Sequence, residues 1–229
     1  MKRFYKEASA SPGEGGVSIL LDGRGVRTPA RNFLRVPTEE LAEAIVGEWA
    51  AQGEDIDPHS MRLTGLANAA IDRVAPDPSA FAATLAAFGE SDLLCYRAEG
   101  PGPLVERQAA VWDPLLEWAR ARYDMDLWTI SGVMHRPQPA PTVERIAAAV
   151  AARSPFQLAG LSPLVTISGS AIVSLALAEG AIRLEEAWQA ATLDEAWQAE
   201  QWGEDALAAA ALENRRGEFE AAYRFLTLL

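Results

Sequence analysis

The chain has 229 residues, 49% hydrophobic and 23% charged, which is enough apolar material for one large core or two small ones and too much for a disordered chain. Acids outnumber bases 32 to 20, a formal net charge of −12. The average surface therefore repels nucleic acid and anionic lipid, and a basic or neutral protein is the easier partner.

The N-terminal segment Met1-Lys2-Arg3-Phe4-Tyr5 carries two positive charges with no apolar run behind them, and Glu7 and Glu14 come too early for a transit peptide. A single cysteine, Cys95, excludes an internal disulfide framework and suggests a reducing compartment. The expected location is a bacterial cytoplasm, or an organelle matrix for a chain whose presequence has been removed.

The first 37 residues read as strands. Val17, Ile19 and Leu21 alternate, Asp22-Gly23 supplies a two-residue turn, and Arg24 to Thr28 returns. Pro29 and Pro37 bracket a further short strand, Phe33 to Val36. At Thr38 the period changes. Thr38 is a candidate N-cap, Glu39 and Glu40 suit the first helical turn, and Leu41, Ala44, Ile45, Glu48 and Trp49 share one face. Further helices are expected over Ser79 to Phe88, Leu104 to Arg122, Thr142 to Ala152, Leu164 to Ala178, and from Leu184 onward. Ser154-Pro155 and Asp113-Pro114 each offer a cap before a first-turn proline, although Pro114 could instead kink one longer helix. A strand over 127–133 precedes the extended Pro137, Pro139, Pro141 connector, and its return to the first sheet is left open.

The fold class is α+β: a small β-rich mixed N-terminal domain over 1–75, followed by a larger α-helical domain, an orthogonal bundle, over 76–229. No charge occurs between Arg153 and Glu179, a span long enough for a bilayer. Gly160, Pro163, Gly169 and several serines interrupt it, and neither end carries a basic cluster. A helix buried in a bundle fits better, and no membrane contact is expected.

Catalytic signatures are absent. Gly13, Gly15 and Gly16 are followed by strand-like Ser18-Ile19-Leu20, whereas a dinucleotide fingerprint needs a helix N-terminus there. His59 and His135 lack metal-ligand spacing, and Cys95 reads as a packing residue without a nearby base. No cofactor is expected.

The segment from Glu179 to Asp205 holds eight acids and one base, Arg183. Such a run is either a solvated face or a docking surface for a basic partner. Within it Trp188, Glu195 and Trp202 are spaced by seven, so a continuous helix would align them. Glu195 then lies buried with Arg97 or Arg107, or in an exposed aromatic patch. The candidate partner-binding residues are Glu195, Asp194, Trp188 and Trp202.

Several short blocks resemble one family when taken together and in order. They are Leu21-Asp22-Gly23-Arg24 with Thr28-Pro29; Leu41-Ala42 and Glu48-Trp49; Leu66-Ala67-Asn68 and Ala70-Ile71-Asp72; Ser91 to Arg97; Trp112-Asp113-Pro114-Leu115; and Leu193-Asp194-Glu195 with Trp197-Gln198 and Trp202-Gly203. The sequence resembles the ATP synthase assembly chaperones, the ATP-twelve family or assembly factor two family. The resemblance implies a chaperone, not an enzyme, that binds the free α subunit of the F-type catalytic head and shields its interface until the β subunit replaces it. It also implies a mixed N-terminal domain, a helical C-terminal one, and no catalytic residue; the free chain is expected to be a monomer. Two alternatives remain: an enzyme built from scattered acids and Arg97, and a permanent structural subunit.

Overall fold

The structure, a computed structural model, describes residues 1–132, 134, 136–203 and 205–229. His135, Val133 and Glu204 lie outside the described residues, so the readings made for His135, for the end of the 127–133 strand and for Glu204 in the acidic run have no structural counterpart. The chain forms two compact units. The first holds residues 1–78, 154–160 and 221–229; the second holds 79–153 and 161–220. Two late segments thus belong with the β-rich start of the chain, where the sequence reading made one cut near residue 75.

In the first unit β1 (Ala8–Gly13) and β2 (Gly16–Leu21) form an antiparallel hairpin, from Ala8 opposite Leu21 to Gly13 opposite Gly16. β3 (Arg24–Gly25) and β4 (Arg35–Val36) also pair with β2, so β2 is the central strand. The Asp22-Gly23 turn has φ of 47° and 75°, the double positive φ that a two-residue hairpin requires. The expected alternation places Val17, Ile19 and Leu21 inward, all buried. Ile19 and Val17 meet Leu41 and Ile45 of α1 (Glu39–Ala50), Leu63 and Ala67 of α2 (Arg62–Ala69), and Phe225 near the chain end. Thr38 caps α1, its side chain accepting from Leu41 N at 3.3 Å.

Side chains hold the loops of this unit. Glu48 accepts the backbone N–H of Leu63 at 2.7 Å and of Thr64 at 2.8 Å, satisfying the start of α2. Beyond α2 the helix widens into a π-turn, Ala70–Val74, which carries Asp72. Asp72 accepts Thr28 Oγ1 at 2.7 Å, Ala30 N at 2.9 Å and Asn32 Nδ2 at 2.9 Å, fixing the Pro29 loop. Burial pulls its pKa up, but those three donors outweigh it and hold the carboxyl below its usual range.

The chain end completes this core because Phe225 stacks on Phe156, ring centroids 6.2 Å apart. Gly160 makes the approach possible: a Cβ there would stand 2.7 Å from Leu226 Cδ2.

The second unit is helical. α3 (Pro78–Ala86) runs into 3-10 turns, Ala87–Ser91 and Leu93–Cys95. α4 (Gly102–Tyr123) passes through Pro114 without stopping, so Asp113-Pro114 is no helix start. α5 is Ala140–Ala151. Ser154 and Gln157 do form the expected reciprocal cap of α6 (Pro155–Ser168).

The uncharged stretch is two helices, not one. Gly169, at φ 66°, ends α6, and Ser170 caps α7 (Ala171–Ala178), accepting Val173 N at 3.0 Å. Every residue from Ala171 to Leu177 is buried. Among the described residues no helix is long and apolar enough to cross a membrane.

Asp92 is fully buried beside this break. It accepts Ser170 Oγ at 2.7 Å, Ile172 N at 3.1 Å and Leu94 N at 3.1 Å. Burial pushes its carboxyl up to about 6 against the pull of those donors.

The return of the strand after residue 127, left open by the sequence, is decided: among the described residues β6 (Ile130–Ser131) pairs in parallel with β5 (Tyr96–Arg97), not with the first sheet. Gly132 N extends that pairing by donating to Arg97 O at 3.0 Å.

Candidate functional site

The acidic run falls on α8 (Leu184–Ala191), α9 (Leu193–Trp202) and the turn into α10 (Ala206–Thr227). The continuous helix expected through Trp188, Glu195 and Trp202 is broken at Thr192, which has φ −114° and ψ 14°. Its hydroxyl donates to Trp188 O at 2.8 Å, and its N–H donates to the same carbonyl at 3.0 Å. A β-branched hydroxyl that competes for the helix carbonyl disturbs the helix there. The seven-residue alignment therefore does not survive.

Its members separate accordingly. Trp188 is core, 9% exposed, with its ring centroid 5.5 Å from that of Phe219. Asp194 is half-buried and accepts Gln108 Nε2 at 2.8 Å, an anchor of α9 onto α4. Glu195 and Trp202 remain on the outer side.

α9 ends at Gly203, at φ 87°, and Asp205 caps α10 by accepting Ala208 N at 3.2 Å. The two helices fold back on one another through this short turn. Arg215 of α10 thereby reaches Glu195 with both guanidinium nitrogens, Nη1 to Oε1 at 3.0 Å and Nη2 to Oε2. The bond to Glu195 raises the Arg215 pKa. The partner is thus neither Arg97 nor Arg107, and the pair is half-exposed rather than buried. Arg107 instead binds Glu200 at 2.8 Å and lies over the Trp197 ring. A glycine followed by an aspartate two residues on was the signal for the turn, and the turn is what brings residue 215 beside residue 195.

Between α9 and α10 lies an open groove of about 500 Å³. Its floor is small and apolar, with Ala199, Ala208 and Leu212, and Glu195 with Arg215 stands at its edge. Trp202, also in the lining, is 79% exposed, and nearby Leu207 is 81% exposed. An exposed tryptophan beside an apolar groove is unusual on a free surface and typical of contact sites.

The acids themselves are largely engaged. Glu179 receives Arg122 Nε at 2.7 Å, the Tyr123 hydroxyl at 2.6 Å and Arg153. Burial, with the bond to Glu179, pushes Tyr123 up to about 12. Glu185 pairs with Arg216 and Glu186 with Arg183. The segment is therefore less of a bare anionic surface than its composition suggests.

Arg97 is also committed. It donates to Leu94 O and Asp113, each at 2.8 Å, and lies over Trp112. Cys95 is fully buried, its thiol pushed up to about 12 by burial and by Asp92. Among the described residues no group of His, Cys, Asp and Glu side chains could hold a metal.

Comparison with known proteins gives the family. The family model described as "ATP12 chaperone protein" matches residues 2–120. The Schizosaccharomyces pombe protein named "Protein atp12, mitochondrial" is 29% identical over 219 residues, covering 90% of this chain and 75% of that one. The crystal structure of Atp12 from Paracoccus denitrificans is 43% identical with a TM-score of 0.95, covering 99% of this chain and 97% of that one. An Agrobacterium tumefaciens structure gives the same identity and TM-score, with 99% and 85% covered. Proteins named as chaperones are not enzymes, and the enzyme alternative with Arg97 falls away. The chain belongs to the ATP12 chaperone protein family, the ATP synthase assembly chaperones that its ordered sequence blocks resemble.

Proposed function

We propose that this chaperone holds the free α subunit of the F-type catalytic head and covers its interface until the β subunit takes that place. The site is the α9–α10 groove, with Trp202 as the aromatic anchor and the Glu195–Arg215 pair as its polar edge. The observation that carries this reading is Trp202, 79% exposed beside an apolar groove. Burying such a side chain against a partner typically contributes about 2 kcal/mol or more to binding. Asp194 contributes by fixing α9 onto α4, and Trp188 by packing α8 against Phe219 of α10. The relatives are mitochondrial and bacterial, which fits action in a mitochondrial matrix or a bacterial cytoplasm; the free chain acts as a monomer in this reading.

The test is retention of purified α subunit by the immobilised chain. Wild type is expected to retain it, and Trp202→Ala to lose most of the affinity while melting like wild type. Absence of retention by wild type sinks the α-subunit reading; equal retention by Trp202→Ala sinks the groove. Presence of the chain at fixed stoichiometry in finished synthase would favour a structural subunit instead.

A further inference from the structure

The first unit carries a second groove, of about 580 Å³, between the N-terminal segment and the β2–β3 turn. That volume lies within the range of roughly 300–1,000 Å³ typical of ligand clefts. Tyr5, Leu21, Val26 and Trp49 make its floor apolar, and Phe4, at 66% exposure, stands in its wall. Arg24 and Arg27 also line it. The Arg27 guanidinium covers the Phe33 ring, 3.4 Å from its centroid, and Phe33 is 50% exposed. Gly25 lets that ring lie close, since a Cβ there would stand 3.1 Å from it.

The first 38 residues carry a charge opposite to that of the rest of the chain. Residues 1–38 hold seven bases against three acids, a net of +4, while residues 39–229 hold 13 bases against 29 acids. Arg24 and Arg27 form no salt bridge among the described residues; Arg24 feels the charge of Asp22 without a direct bond, and Arg27 donates to a carbonyl, Arg31 O, at 3.1 Å. Asp22 accepts its direct hydrogen bonds from Lys6 N and Glu7 N. Two guanidinium groups outside any salt bridge beside an apolar floor select a ligand with carboxylates next to apolar side chains.

We propose that this groove docks an acidic, apolar segment of a client polypeptide, a second contact beyond the α9–α10 groove and of opposite charge. A polypeptide fits better than a nucleic acid for two reasons. The floor is shaped from aliphatic and buried aromatic groups, and one face of the Phe33 ring is already taken by Arg27 rather than offered to a base.

The test uses the whole chain and fluorescent peptides of alternating Glu and Leu or of alternating Lys and Leu, read by anisotropy. The Glu–Leu peptide is expected to bind, more weakly as salt rises, while the Lys–Leu peptide, which the acidic remainder of the chain attracts, serves as the control whose binding does not depend on Arg24 and Arg27. Arg24→Glu with Arg27→Glu is expected to weaken the Glu–Leu peptide about tenfold or more. The milder Arg24→Gln with Arg27→Gln pair, checked by a melt, is expected to weaken it in the same direction. Trp202→Ala should leave this binding unchanged, which separates failure here from failure of the α-subunit reading. No binding of the Glu–Leu peptide, no effect of either arginine pair on it, equal weakening of both peptides by the arginine substitutions, or displacement by a single-stranded RNA that binds more tightly would each overturn the proposal.

Discussion

In the β-rich unit Glu48, Asp72 and Asp22 accept backbone N–H groups from distant parts of the chain, whereas in the helical unit Glu179, Glu185, Glu195 and Glu200 accept guanidinium groups. The difference follows from backbone accounting. Short strands and loops leave N–H groups that need an acceptor, and a side-chain carboxylate supplies it. Long helices satisfy their own backbone, so their acids are free to pair with bases on neighbouring helices. A consequence is that Arg24 and Arg27 of the β-rich unit form no salt bridge among the described residues. The β-rich unit, with 10 bases against 12 acids, is nearly balanced, while the helical unit, with 10 against 20, is strongly acidic.

The buried carboxylate of the helical unit is its exception, since Asp92 serves backbone and hydroxyl donors. It offers the largest way to break the comparison. Asp92→Ala strands the Ser170 hydroxyl and two N–H groups in the core and is expected to cost about 3 kcal/mol or more in a urea melt. Because its folded pKa, about 6, is raised above the usual carboxylate value, the folded state holds the proton more tightly than the unfolded one. That contribution is present in full below about pH 4 and lost as pH rises through 6. Relative to Asp92→Asn, wild-type stability should fall between those values and stay level above them; a flat difference would mean the carboxyl titrates alike in both states.

Glu48→Ala is expected to cost about 1–2 kcal/mol, because the start of α2 loses its acceptor. A loss near zero would mean water replaces Glu48 at no cost, and the contrast between the units would weaken. Glu195→Lys breaks a half-exposed pair and should cost under about 1 kcal/mol of folding stability, while weakening retention of the α subunit. A folding loss of about 3–5 kcal/mol would place the pair among buried ones. The smallest effect is expected from Mg-ATP: no change in melting temperature, where a ligand at 100 times its Kd would add about 2.7 kcal/mol. Glu14 and Gly15 make a strand-to-strand turn and Gly16 opens β2, with no helix N-terminus to receive phosphate.

Legibility followed the range of each signal. Asp22-Gly23, Thr38 and Ser154 were readable because a turn or a cap is decided by a few neighbouring residues. β1 falls only under the general reading of the first 37 residues as strands and is not singled out, because Ala8-Ser9-Ala10-Ser11-Pro12 has no strand-like composition; its pairing comes from β2. Pro114 sits inside α4 and Gly169 splits the uncharged stretch, two choices that packing makes and local propensity leaves open. In the candidate site Trp202 and Glu195 were found by spacing, but the spacing also drew in Trp188, which the break at Thr192 returns to the core. Arg215 needed the Gly203 to Asp205 turn to be read as a hairpin. The family resemblance came from the order of short blocks, which no single block would have carried.

Cys95, the one cysteine of the sequence, combines full burial with a thiol pushed up to about 12. Almost none of it is thiolate at neutral pH, so it is unreactive toward maleimides and mild oxidants while the fold holds. The native protein is therefore chemically silent at sulfur. A cysteine introduced in place of Leu207, which is 81% exposed, would be the thiol that reacts. A fluorophore or crosslinker can be set beside the α9–α10 groove in the otherwise unaltered chain, and its arrival against a client timed directly.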